Sequence, residues 1–285
     1  MDQLELNAID RLAELFEPGP VAVLTGAGIS TDSGIPDYRG KGSPPRTPMN
    51  IAQFMDDEAY RRRFWAGARV GADRYTSVHP NAGHRTLAQL EEAGFVSGVI
   101  TQNVDGLHRE AGTKALVEVH GNGGVIRCVN CGTERTRSDV LARFDALNPG
   151  FADRNRDAPI APDGDAVVAD IDDVRVPNCP ACGGTQRPSV VYFGELVPRD
   201  VFTAGAQLVD RSSALIVAGS SLAVNTGVRF VRQAERLGLP VAVINRGPTK
   251  IDGNAAIRLE AGTSETFSAL ADQLTRNERT YSSPR

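Results

Sequence analysis

The sequence Val21-Ala22-Val23-Leu24-Thr25-Gly26-Ala27-Gly28-Ile29-Ser30 decides the fold of this chain. Its apolar run is typical of a buried strand in a parallel sheet, and the small residues that follow allow a tight turn into a helix. At such a turn the backbone can approach the pyrophosphate of a nucleotide. Thr31 stands where a dehydrogenase fingerprint has its third glycine, and the acidic residue expected about 20 positions later is missing. The stretch therefore predicts a nucleotide loop outside the hydride-transfer enzymes, with a ligand-free tight turn as the alternative.

Three further apolar runs follow the same pattern, at Val96–Thr101 and at residues 214–218 and 240–245. Helical patterns lie between or after them, at residues 81–93, 224–237 and 265–274. Alternating strands and helices predict an α/β fold with a doubly wound, parallel, Rossmann-like sheet. We expect residues 1–121 and 186–285 to form this larger, nucleotide-binding domain, with a helical insertion at about residues 43–78.

The composition excludes several classes of protein. The 285 residues carry a formal net charge of -4, so no global basic field draws the chain onto nucleic acid or an anionic membrane. Residues 1–16 are acidic and amphipathic, unlike a secretion signal or a matrix-targeting peptide. No apolar run approaches the roughly 18 residues of a membrane span. We therefore expect a cytoplasmic protein with no nucleic-acid or membrane partner.

The four cysteines form two C-x-x-C pairs, Cys128 with Cys131 and Cys179 with Cys182. Disulfides are not expected without a secretion signal, and two such pairs with no spare cysteine predict one tetrahedral zinc ion. Four thiolates leave no open coordination position, so the zinc is expected to be structural. We expect residues 122–185 to form this smaller zinc-binding domain, inserted in the larger one. Its Asp-rich stretch, residues 145–173, predicts a solvated, partly disordered excursion and disfavours a nucleic-acid zinc ribbon.

Polar residues with catalytic chemistry follow the predicted strands. Asn103 and Asp105 come directly after Val96–Thr101, at the edge of the sheet where α/β proteins bind ligands. His120 is the best candidate for a general base, because an unperturbed histidine has a pKa near 6.5. His79, His84 and His108 are interpreted as structural.

Six motifs occur in the order found in one known family. They are Gly26-Ala27-Gly28-Ile29-Ser30 with Gly34-Ile35-Pro36-Asp37-Tyr38-Arg39, Thr101-Gln102-Asn103-Val104-Asp105-Gly106-Leu107-His108, His120-Gly121, the paired C-x-x-C hooks, Gly219-Ser220-Ser221-Leu222, and Ile244-Asn245-Arg246-Gly247-Pro248-Thr249. Together they resemble the sirtuins, the Sir2-type NAD-dependent protein deacylases, over roughly residues 20 to 275. Residues 63–66, 79–81 and 247–249 are similar to the class II branch.

The resemblance implies a fold, a reaction and a set of site residues. It implies an acyl-lysine protein or peptide as substrate, NAD as co-substrate, and nicotinamide, free lysine and O-acyl-ADP-ribose as products. It assigns catalysis to His120, Asn103 and Asp105, and substrate binding to Val191, Phe193, Gly194 and Glu195. It assigns NAD binding to Gly26, Ala27, Gly28, Asp37, Tyr38, Arg39, Gln102, Asn103, Asp105, Gly219, Ser220, Ser221, Asn245, Arg246, Gly247 and Thr263.

Two other functions use the same residues. A protein mono-ADP-ribosyltransferase would use the same NAD pocket but attach ADP-ribose to protein and release little lysine. A non-catalytic NAD- or zinc-binding regulator would bind NAD independently of His120. The presence of Asn103, Asp105 and His120 counts against the second of these alternatives.

Overall fold

The computed structural model describes residues 3–37, 50–159 and 166–281. Its strands are β1 Val21–Thr25, β2 Val96–Thr101, β3 Leu116–Glu118, β4 Gly121–Cys128, β5 Glu134–Thr136, β6 Gln186–Val190, β7 Leu215–Ala218, β8 Val241–Ile244 and β9 Ile257–Leu259. Its helices are α1 Gln3–Glu14, α2 Ile51–Asp56, α3 Glu58–Val70, α4 Ala72–Thr76, α5 Ala82–Glu92, α6 Leu107–Glu110, α7 Arg137–Leu147, α8 Phe151–Arg154, α9 Arg199–Asp210, α10 Asn225–Arg236 and α11 Thr263–Tyr281.

The larger sheet has six parallel strands in the order β3-β2-β1-β7-β8-β9. The strand order reverses between β1 and β7, which is the topological switch point of a doubly wound sheet. The predicted α/β class and its parallel sheet are confirmed. The bounds of β1 and β2 agree with the prediction, whereas the short strands β3 and β9 have no apolar run long enough to predict them.

Successive residues of the central strands point to opposite faces of the sheet, and each face has its own apolar core. Val21 and Val23 pack on the side covered by α1, α5 and α11, where Leu12, Leu87 and Phe267 are buried. On the opposite face, Ala22 and Leu24 of β1 pack with buried residues of α9 and α10, which are Leu208, Val209, Phe230 and Val231. Burial on both faces explains why these strands read as continuous apolar runs.

The smaller sheet is antiparallel, with the order β5-β4-β6. β6 pairs with β4 from Gly121 to Cys128, so this sheet includes residues beyond the predicted boundary at 185. The last cysteine is Cys182, and the strand that closes the smaller sheet follows it at Gln186–Val190. The division into two domains stays a prediction.

At residues 145–173, the predicted solvated, partly disordered excursion, the structure shows five exposed aspartates (Asp153, Asp157, Asp170, Asp172 and Asp173), but its described part also packs on a core. Residues 166–174 place four apolar side chains, Ala166, Val168, Ile171 and Val174, in one core with Trp65 of α3 and Phe144 of α7. The Ala166 amide also donates to the Gly67 carbonyl at 3.0 Å. A few apolar residues among many aspartates are therefore enough to fix this segment against α3.

In the described ranges, no helix combines the length and the apolar character that a membrane crossing requires.

Candidate active site

The loops after β1 and β7 meet at the switch point of the larger sheet. The Gly28 amide donates to the Gly219 carbonyl at 2.8 Å, and a Cβ added to Gly26 would lie 2.8 Å from the Cβ of Ser220. Gly219 has φ +62°, and a Cβ there would come 2.4 Å from the Ile29 nitrogen. Only glycine fits such a close approach of two backbones at a positive φ. Both glycine motifs therefore form the floor of one crevice at the carboxyl ends of the strands.

The loop after β2 joins this crevice through hydrogen bonds to both glycine loops. Gln102 Nε2 donates to Ser220 Oγ at 2.7 Å, and Asn103 Nδ2 donates to the Gly26 carbonyl at 3.0 Å. Ser30 Oγ donates to Asp105 Oδ2 at 2.7 Å, and the Leu107 amide donates to Asp105 Oδ1 at 3.0 Å. Burial raises the pKa of the Asp105 carboxyl, while these two donors oppose the rise. The Asp105 carboxylate is thus fixed in orientation at the ends of β1 and β2.

His120 lies between the two sheets, one residue before β4 begins at Gly121. Its Nδ1 is 3.0 Å from the Gln102 carbonyl oxygen, which can only accept, so Nδ1 carries the proton in the neutral ring. Nε2 then keeps a lone pair. Burial lowers the pKa of His120, partly offset by the hydrogen bond to Gln102. The imidazole is therefore neutral and able to accept a proton near neutral pH.

The loop after β8 occupies the far side of the switch point. Asn245 Nδ2 donates to the carbonyls of Arg246 and Gly247, and Arg246 pairs with Glu265 at 3.2 Å. Thr263 is buried, and its Oγ1 has no hydrogen-bond partner among the described residues. A buried hydroxyl without a partner suits a polar ligand, and the adenosine half of NAD offers both donors and acceptors.

Some predicted NAD contacts are less well defined. Ala27 and Ser221 are half-buried beside the crevice glycines, and Asp37 is half-buried at the end of a described range. Tyr38 and Arg39 lie outside the described residues.

The segment after β6 is predicted to bind the substrate, and it lies against α2. Phe193 forms an isolated parallel bridge with Asn50, and the Ile51 amide donates to the Phe193 carbonyl at 3.1 Å. Val191 is half-buried, whereas Phe193 is 54% exposed. Gly194 has φ +92°, which turns the chain directly after Phe193.

Glu195 stabilises this turn from within. Its carboxylate accepts from Arg187 Nη1 and Nη2 at 2.7 and 2.6 Å, and from the Tyr192 amide at 3.0 Å. Burial would raise the pKa of Glu195, but the Arg187 and Tyr192 donors lower it overall. The carboxylate of Glu195, a predicted substrate residue, therefore stabilises the turn through its hydrogen bonds to Arg187 and Tyr192.

The four cysteines come together as the sequence predicts, with all sulfur atoms within 4.8 Å of one another. Cys128 and Cys182 are 3.5 Å apart, and Cys131 and Cys179 are 3.8 Å apart. A tetrahedral zinc ion with Zn–S bonds of about 2.3 Å requires sulfur separations of about 3.8 Å. Each C-x-x-C turn ends in a glycine with φ +73°, Gly132 or Gly183. The donor set and its spacing fit one structural zinc ion.

Comparisons with known proteins agree with this geometry. The family model described as Sir2 family matches residues 26–226. The NAD-dependent protein deacetylase 1 of Mycobacterium avium (strain 104) is 50% identical over 257 residues, which cover 89% of this chain and 91% of that protein. The chain belongs to the Sir2 family.

Two solved Sir2 structures show the same fold as this sirtuin. One contains Sir2 with a p53 peptide and NAD+; it is 30% identical, covers 95% of this chain and 99% of its own, and has a TM-score of 0.74. The other contains a deacetylated p53 peptide and 3'-O-acetyl-ADP-ribose; it is 30% identical, covers 93% and 98%, and has a TM-score of 0.75. The family expectation is confirmed, while the class II branch and the role of each site residue stay predictions.

The site of this sirtuin also contains two residues, Ser30 and Asn81, whose roles the sequence does not predict. Ser30 is buried and hydrogen-bonds both Asp105 and Asn103, at 2.7 and 3.2 Å. Its position at the end of the motif Gly26-Ala27-Gly28-Ile29-Ser30 is the sequence feature that could have indicated a role in the site. Asn81 hydrogen-bonds Ile29 and Ser33, in the loop after β1, and these contacts could not be predicted because they depend on how α5 packs against that loop.

Proposed function

We propose that the chain is an NAD-dependent protein-lysine deacylase of the deacetylase type. It converts NAD, water and an acyl-lysine protein into nicotinamide, free lysine and O-acyl-ADP-ribose. The observation that carries the proposal is His120, a half-buried neutral histidine with a fixed tautomer, placed at the same crevice as Asn103 and Asp105. The relatives named as NAD-dependent deacetylases support the same reaction.

His120 acts as the general base in this proposal. Donation from Nδ1 to the Gln102 carbonyl orients the ring and leaves Nε2 to accept a proton from a ribose hydroxyl. The lowered pKa keeps the imidazole neutral at neutral pH, because burial disfavours the imidazolium form. Removing a positioned general base typically costs about 10²- to 10⁴-fold in rate.

Asp105 and Asn103 act on the nicotinamide side of NAD. Loss of nicotinamide develops positive charge at the ribose, and a fixed carboxylate stabilises such charge without reorganising during the reaction. Two donors hold the Asp105 carboxylate, and Asn103 is held by the Gly26 carbonyl and Ser30. These residues therefore offer a preformed polar surface at the place where the glycosidic bond breaks.

The glycine crevice and the loop after β8 bind the rest of NAD. Gly26, Gly28 and Gly219 let the pyrophosphate approach the backbone, since larger residues would collide with the neighbouring loop. At the adenosine end, the buried hydroxyl of Thr263 gains a partner when the nucleotide is bound. Asn245, Arg246, Gly247, Ser220 and Ser221 complete this proposed cofactor site. Zinc bound by the four cysteines holds the smaller sheet together and takes no part in the chemistry.

The substrate binds as an extended chain along Val191, Phe193 and Gly194. An added strand would pair with the backbone of this segment, and the acyl-lysine would reach the crevice beside His120. In this proposal Glu195 positions the segment through Arg187.

The zinc thiolates also support a cytoplasmic location. Thiols that must bind a metal persist in a reducing compartment and tend to form disulfides in an oxidising one. Fractionation of the source cells tests this placement, and recovery of the protein from a secreted or periplasmic fraction contradicts it.

Nicotinamide release from NAD by zinc-loaded protein, with a panel of acyl-lysine peptides, tests the function. We expect peptide-dependent release and O-acyl-ADP-ribose, both reduced at least about 10²-fold in His120→Ala. His79→Ala is the matched control, because His79 is exposed and paired with Glu110 at 3.2 Å. Release without peptide, together with ADP-ribose attached to protein, would favour the transferase instead. NAD binding without turnover in either protein would favour the regulator.

A further inference from the structure

The side chain of Asn81 connects the loop after β1 to the helices α5 and α11. Its Nδ2 donates to the Ile29 carbonyl at 2.7 Å and to Ser33 Oγ at 3.0 Å. Its Oδ1 accepts from the His84 amide at 3.3 Å and from Ser264 Oγ at 3.2 Å. The side chain therefore caps α5, contacts the start of α11 and holds the 3-10 turn Ala27–Ser33.

The turn that Asn81 holds carries the contacts on the nicotinamide side. Ser30 lies in it and orients Asp105 and Asn103 through its Oγ. A 3-10 turn has poorer hydrogen-bond geometry than an α-helix and depends on its surroundings for a fixed position. The donation to Ile29, the residue before Ser30, is therefore the direct link between α5 and the placement of the Asp105 carboxylate.

Two buried histidines support the same link. The ring of His84 packs edge-on against that of His108, with centroids 4.7 Å apart. His84 Nδ1 is 3.0 Å from Asn81 Oδ1, and His108 Nε2 is 2.9 Å from the hydroxyl of Thr25, the last residue of β1. Burial is the main cause that lowers their pKa values, to about 4 for His84 and about 3 for His108, so both rings are neutral. The neutral pair connects α5 to the end of β1.

We propose that Asn81 is a positioning residue for NAD binding, which acts by holding Ile29 and Ser33 so that Ser30 can orient Asp105. This inference rests on the proposed function, since it assigns the crevice to NAD. The part that concerns the turn itself is independent of NAD. Without the donation from Asn81, the turn Ala27–Ser33 opens more often and the nicotinamide side of the crevice loses its fixed geometry.

Asn81→Ser tests the proposal, because serine keeps a good helix N-cap but is too short to reach Ile29. Asn148→Ser is the matched control. Asn148 is equally buried, and its Nδ2 donates to the carbonyls of Phe144 and Arg175 at 2.9 and 3.0 Å, within the smaller domain. Both variants lose two donated hydrogen bonds, so both should lose stability to a similar extent.

Amide hydrogen exchange without NAD gives the first readout. Exchange of the Gly28, Gly34 and Ile35 amides, which are bonded within or beside the turn, should accelerate about tenfold in Asn81→Ser and stay unchanged in Asn148→Ser. In nicotinamide-release assays, KM for NAD should rise about tenfold in Asn81→Ser alone, with KM for the peptide unchanged.

The outcomes separate the two proposals. Equal exchange and equal KM for NAD in Asn81→Ser and Asn148→Ser would overturn the positioning role. A wild-type protein that releases no nicotinamide would overturn the proposed function, while the exchange experiment still decides whether Asn81 holds the turn. If Asn81→Ser fails to fold, Asn81→Asp replaces it, because aspartate also caps α5 but sets an acceptor against the Ile29 carbonyl. The same two readouts then decide.

Discussion

The two sheets of this sirtuin are stabilised in different ways. Every residue of β1, β7 and β8 in the larger sheet is buried, whereas every residue of β5 in the smaller sheet is exposed. The larger sheet therefore rests on apolar burial from both faces, and the smaller one relies more on its four cysteines. His120 lies at the junction, one residue before β4 begins. A change in the stability of the smaller sheet should therefore also change the position of His120, the proposed catalytic base.

Zinc removal should have the largest effect, because it should destabilise the smaller sheet and leave the larger sheet folded. Structural zinc contributes roughly 10–16 kcal/mol of apparent binding free energy in small zinc-finger peptides. Four free thiols provide no comparable stabilisation once the ion is removed. We expect chelation, or Cys179→Ala, to expose the amides of β4 and β6 to hydrogen exchange while those of β1 and β7 stay protected. Activity should also be lost, because His120 directly precedes β4 and would no longer be held in position.

Zinc added back after chelation should restore both exchange protection and activity, and magnesium should not, because thiolates are poor ligands for magnesium. Unchanged protection of β4 in zinc-free protein would contradict this account of the smaller sheet.

Acid should destabilise the fold through two buried histidines that pack beside the larger sheet. His84 and His108 are neutral in the folded state, with pKa values of about 4 and about 3, but titrate near 6.5 when unfolded. Below pH 6.5 the unfolded chain therefore binds more protons, and stability falls as the pH falls. Each histidine contributes about 1.4 kcal/mol per pH unit between 6.5 and its folded pKa. The free energy of unfolding, measured from pH 7 to pH 5, reports this slope.

The chain provides the controls for this slope. His84→Gln should reduce this slope, because it removes one of the two buried imidazoles. None of the four histidines lies in residues 122–185, so the smaller sheet has no matching histidine contribution. A slope that His84→Gln does not change would show that other groups cause the acid loss.

The pH dependence of the rate should report His120 separately. Burial lowers its pKa, so the base stays neutral until the pH falls below the ordinary histidine range. We expect kcat/KM for the peptide to be flat near neutral pH and to fall about tenfold per unit only below pH 6.5. An acid limb centred above pH 6.5 would contradict a base with a lowered pKa.

Much of the larger sheet could be predicted because its determinants are local. β1 and β2 are continuous apolar runs, and the glycines after β1 and the C-x-x-C pairs have fixed spacing. The contacts of Ser30 and Asn81 could not be predicted in this way. They join residues that are far apart in sequence, and they depend on how α5 packs against the glycine loop.

The packing of the Asp-rich stretch could not be predicted for a different reason. Its composition predicts exposed aspartates, and the structure has them, but apolar side chains such as Val168 and Ile171 join the core around Trp65. Composition averages over a segment, whereas packing against α3 selects particular residues within it.

The smallest effect should come from the ion pair that joins α3 to α7. Arg69 Nε donates to both carboxylate oxygens of Asp145, at 2.7 and 2.8 Å, and the two side chains are 24% and 42% exposed. Ion pairs with this much solvent access contribute about 0–1 kcal/mol and weaken with salt. A double-mutant cycle with Arg69→Met and Asp145→Asn in zinc-loaded protein should give a coupling energy of about 0.5–1 kcal/mol.

The matched pair for this cycle is Arg62 with Glu58, which lie 2.7 Å apart within α3 and are more exposed. That pair should couple by only about 0.3–0.5 kcal/mol, as expected for exposed residues four apart on one helix. The Arg69–Asp145 coupling should also slow hydrogen exchange in α7, because it alone of the two connects α3 to that helix. Equal coupling for both pairs, with no change of exchange in α7, would mean that apolar packing around Trp65 suffices to hold this part of the smaller domain in place.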